Sequence, residues 1–559
     1  MPELEFAKEI ESTGLAPQPM GQFLASVEPL TIAERRTIVD QALRLFEEMY
    51  VHSQQKQAMY AVSPVQRLKL LRYRLEIVNE RSFHEEMIST FMSVHDLHTN
   101  YILPSPYNQS TALLPFEIRE FFTGDAAVYV VWRVVQGFQH PSFMPGVSVT
   151  HLNGVPIARA VELNARREAG SNADANHARG LERLTLRPLM MSLPPDEEWA
   201  DVRYITAEGA ATELRFSWLV VTQPGQVTGM SPVTSAAAPV QKWMLAQGVD
   251  IQTQAVNEVK KHLFDQKQVQ IEASVLSRLR TRRFDLRGGP DFNTMSEMPE
   301  VFQFEVKKTA HGDRAYIRIL TFNAQDPQAF VAEFIRILKL LPQNGLILDV
   351  RGNGGGNILA GEMLLQTLSP VPVEPERFHF ITTQRMIQLV NSVPQWFARW
   401  APSMNRALLT GATFSQGLPF EDPAEYNRIG RQYFGKVVLV TDAFCYSATD
   451  AFSAGFQDHG IGPVLGNHAS TGAGGANVFD WQLVTNLYNS FSTDQAFQLL
   501  PKGAALRVAI RRATRVGKNA GEPLEDLGVE PDHLHRPTLN DLLDGDRDLF
   551  DRAGELTRS

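Results

Sequence analysis

A chain of 559 residues with 43% apolar content and a formal net charge of −9 holds material for several domains of roughly 100–200 residues each. The acidic balance argues against nucleic acid as the main partner, and the single cysteine, Cys445, excludes internal disulfides and cysteine-built metal centres. No apolar run reaches the ~18 residues of a membrane span, and Met1–Glu9 lacks the basic and apolar stretches of an export signal, so a cytoplasmic protein is expected.

Residues 1–30 read as irregular. Thr31-Ile-Ala-Glu34 has the form of a capping box, and Ile38, Ala42, Leu43, Leu45 and Phe46 follow at helical spacing. Further helical runs near 64–79 and 82–95 make 1–110 an N-terminal helical region. From 111 the period changes. Residues 126–135 are β-branched and aromatic, and Asn153-Gly154 lies between two short apolar segments, a hairpin signal. Helices are expected near 158–168 and 178–190, and strands near 201–206 and 211–220. Residues 222–240 read as a linker, and 223–300 as linker and connecting helices. The basic cluster Arg278–Arg283 reads as a solvated helix face or exposed linker. From 301 to 540 strands (302–307, 313–320, 345–350, 436–441) alternate with helices (327–340, 358–368, 447–456), which predicts an α/β core, followed by a tail at 541–559.

Four places can carry chemistry. A β-branched run, Lys436–Thr441, ends in a loop from which Ser447 opens a helix, the arrangement that presents a nucleophile. Ser447-Ala-Thr-Asp450 fits a simple helix cap equally well. Strand-like Gly345–Val350 runs into Arg351-Gly-Asn-Gly-Gly-Gly356, whose amides suit a phosphate, an oxyanion, or only a tight turn. His95 and His98 close a helical run as candidate bases, metal ligands, or ordinary hydrogen-bonded side chains. Glu522, Glu525 and Glu530 lie in a Gly- and Pro-punctuated loop, and one of them can orient a histidine. Cys445 reads as a small buried filler.

Together these pieces resemble the S41 family of serine peptidases. Asp96-Leu-His98-Thr99, Leu348–Gly356, Ser447-Ala-Thr-Asp-Ala-Phe with Gln457-Asp-His459-Gly460, and Gly528-Val-Glu-Pro-Asp532 look like the family's motifs in the family's order. The resemblance implies a ClpP/crotonase-like S41 peptidase core. Tail-specific members use a Ser–Lys dyad, but no lysine stands between Ser447 and Lys502 here. The similarity is therefore to the Ser-His-Glu branch, with the tricorn core and the chlamydial protease-like activity factor. It implies Ser447 as nucleophile, His98 as base in preference to His468, and Glu525 as the acid. It further implies an oxyanion hole from the amides of Gly355 and Ala448, a protein or peptide substrate, no cofactor or metal, a homodimer, and a PDZ-like domain at 111–222. Activity is expected to fall below about pH 6 as the base protonates. The alternatives are a catalytically silent peptide- or ligand-binding protein on the same scaffold, and a crotonase-like acyl-CoA enzyme.

Overall fold

In the computed structural model, which describes residues 3–4, 6–222, 248–281, 295–494 and 496–558, the strands expected after residue 301 join one six-stranded sheet. Phe302–Thr309, Gly312–Ile319, Leu346–Asp349, Val437–Thr441, Val464–Gly466 and His533–Leu534 lie side by side in that order. The first pair is antiparallel and each later pair parallel. The inner strands Leu346–Asp349 and Val437–Thr441 are buried at every position, as a sheet covered on both faces requires.

Alternation along these strands sorts the two faces. Ile317, Leu348 and Leu439 point to a large core shared with the helices Pro327–Leu340, Ile358–Leu368 and Ala448–Asp458. Tyr316, Ile347, Val438 and Val440 pack instead against Leu549, Phe550 and Ala553. Those three belong to the helix Arg547–Leu556, so the segment read as a tail supplies one cover of the sheet.

The N-terminal helices Ile32–Arg44, Ser53–Tyr60, Pro64–Tyr73 and Glu80–Met92 are present, and Ile38, Phe46, Phe83 and Phe91 enter the large core. The capping box forms: Glu34 N–H donates to Thr31 Oγ1 at 3.2 Å, and Thr31 N–H to the Glu34 carboxylate at 2.7 Å. After Glu80–Met92 the chain enters the short strand Asn100–Ile102, which pairs antiparallel with Ala505–Thr514. That pairing carries the histidine turn to the peptidase-like core from 400 residues away in sequence.

The reading of 1–30 as irregular is corrected. Pro17–Pro19 pairs with Leu219–Thr222, and Phe6, Ile10, Met20 and Phe23 are buried in a second core. Apolar burial orders this stretch even though its own periodicity is weak. The second core lies beneath a seven-stranded sheet built from Phe116–Thr123, Ala126–Val134, Ser148–Leu152, Trp199–Ile205 and Ala211–Ser217, with the short strands Glu3–Leu4 and Val155–Pro156. The Asn153-Gly154 hairpin is present, with φ of 48° and 74° at the two residues. Residues 186–190, expected as helix, form the strand Leu186–Pro188 instead. The stretch 241–300 contains helices Ile251–Phe264 and Gln266–Thr281. The expected linker at 222–240 and the end of the basic cluster lie outside the described residues. Among the described residues, no helix is long and apolar enough to cross a membrane.

Glu362, on Ile358–Leu368, and Glu376 are both buried, and Glu376 N–H donates to Glu362 Oε1 at 3.1 Å. Burial raises the Glu362 carboxyl from its ordinary 4.5 to about 8. The folded protein therefore keeps a proton that the unfolded chain releases near 4.5. The associated stability is complete below 4.5 and is lost as pH rises toward 8. Glu362→Gln should raise the melting temperature by several degrees at pH 8, and the gain should fade by pH 5; melting curves at both pH values check this.

Candidate active site

Ser447 stands between the strand Val437–Thr441 and the helix Ala448–Asp458, with φ 60° and ψ −117°. A side-chain-bearing residue adopts that conformation only when its surroundings enforce it, and such strain concentrates at functional sites. The enforcement is visible. Asp442 accepts from Phe444 N–H (3.0 Å), Cys445 N–H (3.2 Å) and Gly352 N–H, and Tyr446 N–H donates to Asn353 O at 3.2 Å. The buried Asp450 carboxylate accepts from Ser447 N–H at 3.1 Å and Gly474 N–H at 2.7 Å. Ser447 Oγ itself, only 3% exposed as a residue, makes no hydrogen bond among the described residues. The hydroxyl is therefore not spent on capping the helix. Cys445 is fully buried and donates to Val350 O at 3.1 Å, which fits a filler.

The glycine loop lies directly against this turn. Gly355 has φ 101°, and a methyl there would meet Tyr446 O at 2.6 Å and Ser447 Cβ at 2.8 Å. Its N–H donates to Asn353 Oδ1 at 3.0 Å, so an oxyanion would have to share or replace that acceptor. Ala448 is the first residue of the helix, where N–H groups have no intrahelical acceptor. The other side of the site is closed by Gly248–Val249, which pairs antiparallel with Gly355–Gly356. Gly248 passes so close to Ser447 Oγ that a side chain there would collide with it. This strand is held at its end by Asp250, whose N–H donates to Gly354 O (2.8 Å) and whose carboxylate pairs with Arg179 at 2.7 Å.

His98 is fully buried, with its ring 4.6 Å from that of Tyr446, the residue preceding Ser447. Asp96 shapes the turn by accepting from His98 N–H at 2.7 Å and Thr99 Oγ1 at 3.1 Å. Among the described residues neither ring nitrogen of His98 has a hydrogen-bond partner, so the imidazole is next to the Ser447 turn but not bonded to Ser447. Burial, with Arg507 beside it, holds its pKa well below the ordinary 6.5. His468 is engaged elsewhere, its Nδ1 accepting from Ala443 N–H at 3.3 Å. His95 stacks on Tyr60 at 4.3 Å.

Burial separates the three candidate acids. Glu522 and Glu530 are exposed, whereas Glu525 is fully buried. Its carboxylate takes Lys56 Nζ at 2.8 Å, Ser171 Oγ at 3.1 Å and Gly475 N–H at 3.2 Å. It makes no hydrogen bond to His98; the nearest imidazole is that of His52, 4.0 Å away. Burial pushes its pKa up, and the Lys56 ammonium opposes the shift. His52, Asp96 and Glu525 bring donor atoms within 4.8 Å of one another, the one such cluster among the described residues. Lys56 already supplies the positive charge on Glu525, so this group fits a metal ion poorly. Sequence reasoning missed Asp442, Asn353, Lys56 and His52. Asp442, an acid just past a strand, carries the signal of an Asx turn; nothing local marks Lys56 or His52.

Residues 313–534 match the model of peptidase family S41, so the chain carries a domain of that family. No curated protein matches the chain. Among solved structures, mature CPAF complexed with lactacystin is 14% identical, covers 94% of this chain and 98% of its own, and superposes with a TM-score of 0.63. Mature CPAF is 13% identical with the same TM-score, covering 94% and 97%. At these identities the likeness is one of fold: an S41 peptidase fold. The family match supports a serine protease.

Gly355→Ala combines an unfavourable φ with collisions on two backbone carbonyls, those of Gly248 and Tyr446, and on Ser447 Cβ. It should lower Ser447 labelling by a fluorophosphonate at least 100-fold while the far-UV circular dichroism stays that of a folded chain.

Proposed function

From a chain carrying a peptidase family S41 domain, we propose a serine peptidase that hydrolyses peptide bonds through an acyl-enzyme on Ser447. The observation that carries this reading is an unbonded hydroxyl on a left-handed strand-to-helix turn, placed at a helix N-terminus and against a glycine loop. Amides of such a helix end favour developing negative charge.

In this scheme His98 closes on Ser447 and takes its proton, and Oγ attacks the peptide carbonyl. The oxyanion receives the Ala448 amide and the Gly355 amide, the latter in place of Asn353 Oδ1. Glu525, whose ionised form Lys56 favours against burial, balances the charge of the imidazolium. The imidazolium then gives its proton to the departing amine. Water enters, loses a proton to His98 and hydrolyses the ester to restore Ser447.

Substrate reaches Ser447 only after Gly248–Val249 withdraws, because that strand fills the place where a scissile bond would lie. The same coverage favours the second reading, a catalytically silent binding protein, and reaction with a serine probe separates the two. The acyl-CoA reading calls for a basic phosphate site, which the described residues beside the glycine loop do not offer. Beside the glycine loop a cleft of about 1200 Å³ is lined by more carboxylates than lysines and arginines, among them Glu117, Glu182, Glu258 and Asp326.

Fluorophosphonate should label the wild type at Ser447, and Ser447→Ala should abolish both labelling and hydrolysis of unfolded casein without loss of fold. Retained labelling would move the nucleophile, and an unreactive wild type would favour the silent protein. The base works in its neutral form. Burial depresses the His98 pKa, so the base itself sets a limb lower than the sequence alone suggests, whereas a limb near 7 would report protonation of Glu525, whose carboxyl burial raises to about 7. A pH profile of the labelling rate measures this; a limb at 6.5 would mean that His98 is solvated when the site opens.

A further inference from the structure

Lys56 belongs to the helix Ser53–Tyr60, far in sequence from every residue of the proposed mechanism, yet it is fully buried beside one of them. Its ammonium has three donors and three acceptors: Glu525 Oε1 at 2.8 Å, Asp526 Oδ1, and His95 O at 2.9 Å. Removing an ammonium from water costs several kcal/mol, and it persists in an interior only with such complete pairing. The three acceptors come from the acid loop and from the turn that presents His98.

The surroundings leave this lysine little freedom. Asp526, at φ 71°, also accepts from Gln55 Nε2 at 2.9 Å and Tyr60 OH at 3.3 Å. His52 lies 4.0 Å from Glu525 on the other side, with both ring nitrogens unpartnered, and burial keeps it neutral by lowering its pKa to about 4. Asp96 and the fully buried Tyr50 complete the wall, and His95 stacks on Tyr60. Among these groups Lys56 is the one cation, facing the carboxylates of Glu525, Asp526 and Asp96.

Resting on the peptidase reading, we infer that Lys56 is a positioning residue: it ties the acid Glu525 to the His98 turn and favours the ionised form of that acid against its burial. Lys56 does not act as a base, since all its protons are given to the two carboxylates and the His95 carbonyl. It acts through Glu525, and Asp526 is the second acid that makes its burial sustainable. The lysine absent from the region after Ser447 has thus a counterpart on the acid side of the site, reached through the N-terminal helices.

The test measures the pH dependence of the fluorophosphonate labelling rate in the full chain, with Ser447→Ala as background. Lys56→Met alone leaves two buried carboxylates unpaired and should lower the melting temperature sharply. The charge-balanced Lys56→Met/Asp526→Asn variant should fold. It is expected to label 10- to 100-fold more slowly at pH 7 through the maximal rate, with probe affinity unchanged. Its acidic limb should move to higher pH, because Glu525 without its ammonium protonates more readily. Lys56→Arg keeps the charge and should keep the wild-type limb, and it carries the test if the double variant does not fold. A double variant within twofold of wild type with an unmoved limb, or a Lys56→Arg limb displaced as far as that of the methionine variant, overturns the inference. An unreactive wild type, or labelling that survives Ser447→Ala, overturns the function reading instead.

Discussion

The geometry of this site depends on how closely three stretches of backbone approach Ser447. Gly248 on one side, Gly355 on another and the Tyr446–Ser447 turn itself lie within the width of a single methyl group. The strained φ of Ser447 is tolerated because Asp442 holds the Phe444 and Cys445 amides ahead of it and Asp450 accepts from its own N–H. Those two carboxylates belong to a rigid unit, the end of a buried parallel strand and the first turn of a buried helix. The Ser447 turn is thus supported by the most deeply buried part of the sheet.

Charge is organised in the same nested fashion. At the end of the neighbouring strand, Asp349 is fully buried and clamped by Arg351, which reaches on to Asp546 at 2.8 Å. Arg179 holds Asp250 below the covering strand, and Lys56 holds Glu525 and Asp526 behind the histidine. Apart from Asp349–Arg351 itself, these ion pairs tie together segments distant in sequence. Buried pairs of this kind add little net stability but penalise any alternative docking that would strand a charge. The histidines contrast with this pattern: among the described residues, no hydrogen-bond partner meets either ring nitrogen of the buried His52 and His98.

Much of this was legible in the sequence wherever local signals agree with the tertiary result. The strand–loop–helix around Ser447, the glycine loop and the alternating core announce themselves through β-branched runs, glycines and helical spacing. Ser447, Gly355 and Ala448 are accordingly found together, and His98 packs beside them against Tyr446. Glu525 could not be chosen over Glu522 and Glu530 from local sequence, because the choice is made by burial. Lys56 and His52 were invisible for a related reason. They sit in an ordinary polar stretch, and only the docking of Ser53–Tyr60 against residues 525–526 removes them from water. The N-terminal thirty residues misled for the opposite reason: a weak periodic signal hides side chains that are ordered by a neighbouring sheet.

The pairing of Gly248–Val249 with Gly355–Gly356 has a bearing on selectivity. A ladder laid against two glycines meets no side chains on that flank, so in the proposed peptidase an extended polypeptide resting there would be gripped through its amides and carbonyls, irrespective of its residues. Discrimination among sequences must then arise further out, along the charged walls of the adjoining cleft, where side chains have something to read.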